Sequence, residues 1–188
     1  MKKLALLLLN LILFIGIISA QELQVVKPIQ NCLIKGTSTM HDWELNISQI
    51  NGKIEVTKTD GKIPQINNLM ITIPVVGLKS SKSTMTEKTY ELLKKDKYPI
   101  IKLESNSITL NPAGSDYRAT VQATITVAGQ SRNKTIASIV KLHPDGKVTT
   151  TGSFTLLLTE FGLEPPKMFL GALKTGDQVT IQYEIHFK

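Results

Sequence analysis

Cysteine is almost absent from this chain: one residue of 188, Cys32. A lone thiol excludes an internal disulfide framework and any Cys-based metal cluster. It sits beside Leu33 and Ile34 with no electropositive surroundings, so it reads as a small core hydrophobe rather than a nucleophile. Aromatic residues are also scarce, at 5%, with a single tryptophan, Trp43. Binding nucleic acid by base stacking needs rings interleaved with the basic residues. That pattern is missing, so no nucleic-acid partner is expected in spite of a formal charge of +7. The three histidines, His41, His143 and His186, show no metal-ligand spacing. No Gly-x-Ser-x-Gly elbow, phosphate loop or paired catalytic carboxylates appear either, so the chain is read as a non-enzyme without metal or cofactor.

Long apolar runs are absent too, with one exception at the N-terminus. Lys2 and Lys3 precede an apolar run from Leu4 to Ile18, broken only by Asn10 and Gly16, and Ser19-Ala20 follow. This is the pattern of a secretory signal peptide cleaved after Ala20. The alternative, a retained anchor, would need about 20 apolar residues, more than the run offers. The expected organisation is a signal peptide over 1–20 and one domain over 21–188, exported to the periplasm or secreted. Lys2 and Lys3 leave with the leader, so the mature charge is +5.

What the mature sequence does have is period-two alternation, the mark of strands with one dry and one wet face. Val179, Ile181, Tyr183, Ile185 and Phe187 share one parity, against Thr180, Gln182, Glu184 and His186. Tyr117, Ala119, Val121, Ala123, Ile125 and Val127 repeat the pattern, as do Leu69, Ile71, Ile73 and Val75, and Trp43, Leu45 and Ile47. Phe154, Leu156 and Leu158 form a further run, in which Leu157 suggests that both faces are covered. Asn51-Gly52, Asp60-Gly61, Gly114-Ser115 and Asp145-Gly146 have hairpin character, and Gly129-Gln130 and Gly176-Asp177 mark further breaks. Eight or nine strands result, a sandwich or a barrel. Runs of nine or more residues suit a closed barrel, whose lumen is filled by side chains or holds one small ligand.

One segment departs from this rhythm. Thr84 with Glu87 has the form of a capping box, which predicts a helix over about 84–96. Met85, Tyr90, Leu92 and Leu93 give it an apolar stripe, Glu91 can pair with Lys94 or Lys95, and Pro99 stops it. Residues 79–102 carry Lys79, Lys82, Lys88, Lys94, Lys95, Lys97 and Lys102 against Glu87, Glu91 and Asp96. Such a cluster suits transient contact with an anionic membrane surface. It equally suits a solvated helix face.

Several segments together resemble the YceI-like family of exported, lipocalin-like, polyisoprenoid-binding proteins. They are Gly36-Thr37-Ser38-Thr39-Met40-His41-Asp42-Trp43, Gly77-Leu78-Lys79-Ser80 through Lys97-Tyr98-Pro99-Ile100-Ile101, and Val127-Ala128-Gly129-Gln130-Ser131-Arg132. Thr159-Glu160-Phe161-Gly162-Leu163 and Thr175-Gly176-Asp177-Gln178-Val179 complete the set. The chain departs from the pattern at Thr84-Met85-Thr86-Glu87-Lys88-Thr89, where many members carry an Asp followed by His-Leu. The resemblance implies an all-β fold: an extended eight-stranded antiparallel lipocalin-like β-barrel with one inserted helix. It also implies a bound isoprenoid-type lipid, a polyisoprenoid or a quinone tail.

The dry faces supply the candidate ligand-binding residues. These are Trp43, Leu45 and Ile47; Ile71, Ile73 and Val75; Leu103; Val121, Ile125 and Val127; Phe154, Leu156 and Leu158; Ile181 and Tyr183. Phe161, Met168 and Phe169 are candidates for a lid or plug, because Glu164-Pro165-Pro166-Lys167 cannot be regular sheet. His41 is a candidate polar contact at the rim. Its alternative is a plain strand-end turn, with Asp42 capping backbone N–H groups. Small residues such as Ala119 and Ala123 leave volume inside a barrel, whereas Trp43, Phe154 and Tyr183 could fill it. The rival is therefore a surface-recognition β module with a packed interior and no lipid. An outer-membrane barrel fits less well, since it wants aromatic girdles and an apolar outer band.

Overall fold

The computed structural model describes residues 19–168 and 173–188. Most of the predicted leader and Phe169 lie outside the described residues, as does the side chain of Met168. The strands are β1 (Ser19–Gln24), β2 (Leu33–Ser38), β3 (Trp43–Ile47), β4 (Asn51–Lys58), β5 (Gln65–Pro74) and β6 (Leu78–Lys79). After the helix α1 (Ser83–Leu92) come β7 (Ile100–Ala113), β8 (Asp116–Val127), β9 (Gln130–Leu142), β10 (Val148–Leu157), β11 (Lys167–Met168) and β12 (Leu173–Phe187). The fold is all-β and antiparallel with one helix, as expected, but the described residues form twelve strands rather than eight. The excess comes from short pieces: β6 and β11 have two residues each, and β3 runs into β4 through Ser48–Ile50.

The sheet is ordered β1-β4-β5-β7-β8-β9-β10-β12-β2-β3-β6, with β11 beside β12. Its hydrogen-bonded path is open. The chain connects the strands next to its two ends where β3 passes into β4, and a bridge from Val25 to Phe187 ties the run after β1 to β12. The curled sheet turns its dry faces inward. Ala119, Val121, Ala123, Ile125 and Val127 of β8 are all buried, the period-two reading realised.

The turns show where local signals decide and where they do not. Ala128 and Gly129, at φ of 47° and 79°, form the two-residue connection of β8 to β9, the left-handed pair that matches strand twist. Asn51-Gly52 is not a turn. Both residues pair within β4, opposite Thr72 and Ile71, because the preceding strand continues rather than reversing. Gly176-Asp177 does not break its strand either; it sits in a bulge between Thr175 and Val179. Leu157 remains 39% exposed, so its outer face is not covered.

The helix starts one residue before the predicted capping box and ends four before the predicted limit. Lys82 holds the N-cap position without a side-chain bond, and Thr84 lies inside the first turn. Thr86 organises that end instead: its hydroxyl accepts from the Ser80 N–H (3.0 Å) and lies 3.4 Å from the Lys82 carbonyl. Glu91 pairs with Lys88 at 2.6 Å rather than with Lys94 or Lys95. Tyr90 and Leu93 are buried, and the Tyr90 hydroxyl donates to the Val76 carbonyl (2.9 Å), pinning the helix to the 3-10 turn after β5.

A lumen lined by apolar strand faces

Inside the curled sheet lies a cavity of about 1150 Å³. Long-chain residues wall most of it. Trp43, Leu45 and Ile47 come from β3, Ile71 and Ile73 from β5, Leu103 from β7, and Val121, Ile125 and Val127 from β8. Phe154 and Leu156 line it from β10, and Ile181 and Tyr183 from β12. Val75 does not line it. That residue belongs to the 3-10 turn after β5, where the chain leaves the strand, and its side chain is 1% exposed within the packed core.

The volume has a visible origin. The register aligns Ala119, Ser138 and Gly152 in one row across β8, β9 and β10. Three small residues side by side leave the wall thin at that level. The strands next in line carry Leu110 and Tyr183. Elsewhere rings lie flat over glycine. A Cβ at Gly36 would stand 2.2 Å from Trp43, its partner across β2 and β3, so the indole occupies the space that glycine vacates. The indole N–H donates to the Thr37 carbonyl at 3.0 Å, which fixes the ring.

Leu158, Phe161 and Leu163 reach the cavity from a 3-10 turn, Leu158–Phe161, and the residues after it. Asp177 in the β12 bulge holds that turn, accepting from the Thr159 N–H (2.9 Å) and hydroxyl (2.6 Å). Lys134 on β9 holds it from the other side, 2.6 Å from Glu160. Lys134 keeps the Glu160 carboxyl below its usual range. Phe161, 3% exposed, lines the cavity from this turn.

The polar rim gathers His41, Asp42, Ser80, Ser81, Lys82 and Lys88 along the same cavity. The His41 Nε2 lies 3.3 Å from the Lys82 ammonium. The capping expected of Asp42 is performed by Ser38. Its hydroxyl accepts from the N–H groups of Met40 and His41 and donates to the His41 carbonyl at 2.7 Å. Several lysines of the 79–102 stretch have local partners. Lys79 and Lys95 lie over the Tyr90 ring at 5.4 and 5.1 Å, and Lys97 lies over Tyr98 at 5.3 Å. These contacts give no support to membrane docking through that stretch. Cys32 is 3% exposed, and burial, with the nearby Glu184 charge, pushes its thiol up, as befits a core residue.

Sequence reading passed over several lining residues, among them Ile136, Val140, Leu163 and the polar Ser138. For Ser138 the signal was present: on β9 it shares the dry parity of Ile136 and Val140, so a polar group at a buried position was legible there.

Trp43 being the only tryptophan, its position on the wall yields a direct readout. Titration with a quinone-tailed lipid is expected to quench or shift its emission saturably. Emission that stays constant while the lipid demonstrably co-purifies would place the lipid elsewhere.

No protein-family model and no curated protein sequence matches the chain. Solved structures do. The polyisoprenoid binding domain of Saccharophagus degradans superposes with a TM-score of 0.67 at 10% identity, over 88% of this chain and 97% of that one. BcnA of Burkholderia cenocepacia gives 0.62 at 17%, over 82% and 95%. The YceI protein of Campylobacter jejuni gives 0.58 at 14%, over 76% and 82%. Across nearly its whole described length, this chain therefore has the lipocalin-like fold of YceI-like proteins, its structural neighbours.

Proposed function

We propose that the chain is an exported, non-catalytic binding protein. It holds a long apolar isoprenoid-type lipid, a polyisoprenoid or a quinone tail, in the lumen for carriage or storage. The observation that carries this reading is the apolar cavity of about 1150 Å³. Pockets for ordinary small ligands span about 300–1,000 Å³, so this one is sized for something longer. The surface-recognition alternative requires a packed interior, which the described residues do not form. The similarity in fold to a polyisoprenoid binding domain favours the same ligand class here. The leader pattern over residues 1–20 supports export to the periplasm or the cell exterior.

The energetics suit a carrier. Burying a methylene from water is worth about 0.8 kcal/mol, which would make a long tail bind almost irreversibly. Its usual surroundings are a bilayer, however, which is already dry. Transfer from one apolar setting to another is close to balanced, so the lipid can load and unload. Selectivity then falls to lumen shape and to a few polar groups. Mass spectrometry of an organic extract of the purified full chain tests the reading. An isoprenoid species in near-stoichiometric amount is the expected result. An extract without lipid, together with failure to take up isoprenoids added afterwards, would end it.

A further inference from the structure

The small-residue row in the cavity wall ends in a polar pair. Ser138 pairs across the sheet with Ala119 and Gly152, and Gly152 pairs with Tyr183. Because Gly152 has no side chain, Tyr183 can lie across it. A Cβ there would come within 2.4 Å of the Tyr183 hydroxyl oxygen. The phenol thereby reaches Ser138, hydroxyl to hydroxyl. Both residues line the cavity, and Ser138 is 7% exposed.

Two hydroxyls bring two protons, and one hydrogen bond uses one of them. Whichever group donates, the other keeps an O–H with no acceptor among the described residues. Burial pushes the Tyr183 phenol up, so both protons stay in place at neutral pH. The next rows are mostly apolar: Phe154 meets the Tyr183 ring edge-on at 6.1 Å, and Ile136, Val140 and Ile185 follow along the strands, with Thr150, paired to Val140 and Ile185, as the polar exception. A hydroxyl proton in such a setting is unfavourable until an acceptor reaches it.

We infer that Ser138 and Tyr183 form an oxygen-reading site, which selects among long apolar ligands those carrying an acceptor oxygen of the carbonyl, ether or epoxide class. The inference rests on the lumen being the lipid site. Its depth sets where that oxygen must lie. Tyr183 is eight residues along β12 from Thr175 at the rim end and four from Phe187, or ~25 Å and ~13 Å at the usual strand rise. A ligand whose oxygen-bearing end enters first and whose tail trails back towards Trp43 meets this requirement.

Squalene and 2,3-oxidosqualene test it, since they share a skeleton and differ by one epoxide oxygen. Their dissociation constants are measured by Trp43 fluorescence for the wild type and for the double variant S138A/Y183F. The double variant is the informative one: each single change leaves one hydroxyl behind, whereas both together leave an apolar wall of the same shape. The wild type is expected to prefer oxidosqualene by roughly 3- to 10-fold, the size of one net hydrogen bond. In the double variant the ratio should fall to about one. A wild-type ratio of one overturns the inference without recourse to any variant, and so does a preference that survives in S138A/Y183F. Binding of neither probe would instead remove the lipid-lumen reading, and the inference with it.

Discussion

Ala119→Phe is expected to weaken isoprenoid binding by about tenfold or more, equivalent to about 1.4 kcal/mol, while the fold stays intact. Ala119 is 1% exposed and lines the cavity in the same row as Ser138 and Gly152. That row is where the wall is thinnest, so a ring added there narrows the lumen in cross-section. Introducing bulk into a protein interior usually costs ~1–3 kcal/mol through strain. Here the ring has the cavity itself to enter, so the melting temperature should fall little. Loss of lipid without loss of stability separates a blocked lumen from a damaged fold. Equilibrium partition of a labelled isoprenoid, alongside thermal unfolding followed by circular dichroism, provides both numbers. Undiminished affinity in a well-folded variant would mean that the ligand does not occupy the lumen.

Gly36→Ala acts on stability instead. A methyl group at this position would stand 2.2, 2.5 and 2.8 Å from three atoms of the Trp43 ring. No backbone adjustment of a few tenths of an ångström clears that overlap, so the indole must leave the glycine. Its hydrogen bond to the Thr37 carbonyl goes with it. Strain of ~1–3 kcal/mol and the loss of a hydrogen bond worth ~1 kcal/mol both apply. For a domain of this size the melting temperature should drop by roughly 5–10 °C. Tryptophan emission should shift red as the ring moves towards water. An unchanged melting temperature and spectrum would show that the indole is not held on Gly36 as described.

The strand faces were legible from sequence where the alternation is unbroken. Over β8 every residue of the dry parity from Ala119 to Val127 is buried, because two residues per repeat must send successive side chains to opposite faces. Legibility failed where local signals compete with tertiary pairing. Asn51-Gly52 has the composition of a hairpin turn, yet the ladder to β5 holds it in strand. Thr84 and Glu87 have the spacing of a capping box, but the chain enters the helix earlier and Thr86 makes the anchoring contacts. Val75 kept the dry parity of its strand, and the turn beginning at that residue removed it from the lumen wall. Among the candidate contacts, His41 could be placed near a rim from its position before Trp43. Its closeness to Lys82 could not, since those residues are 41 apart in sequence.

By itself the sequence determined the kind of chain this is: an all-β domain with one helix, dry on one face of each strand, with no disulfide to staple it. Those properties follow from local periodicity and composition, which need no knowledge of neighbours. Only the tertiary structure decided that the interior is hollow and where it carries a polar pair. Ala119, Ser138, Gly152 and Tyr183 come from four strands, and only the register of the ladders sets them in one row. An empty lumen is a difference between the space that the curled sheet encloses and the volume of the side chains turned into it. No single segment contains that difference.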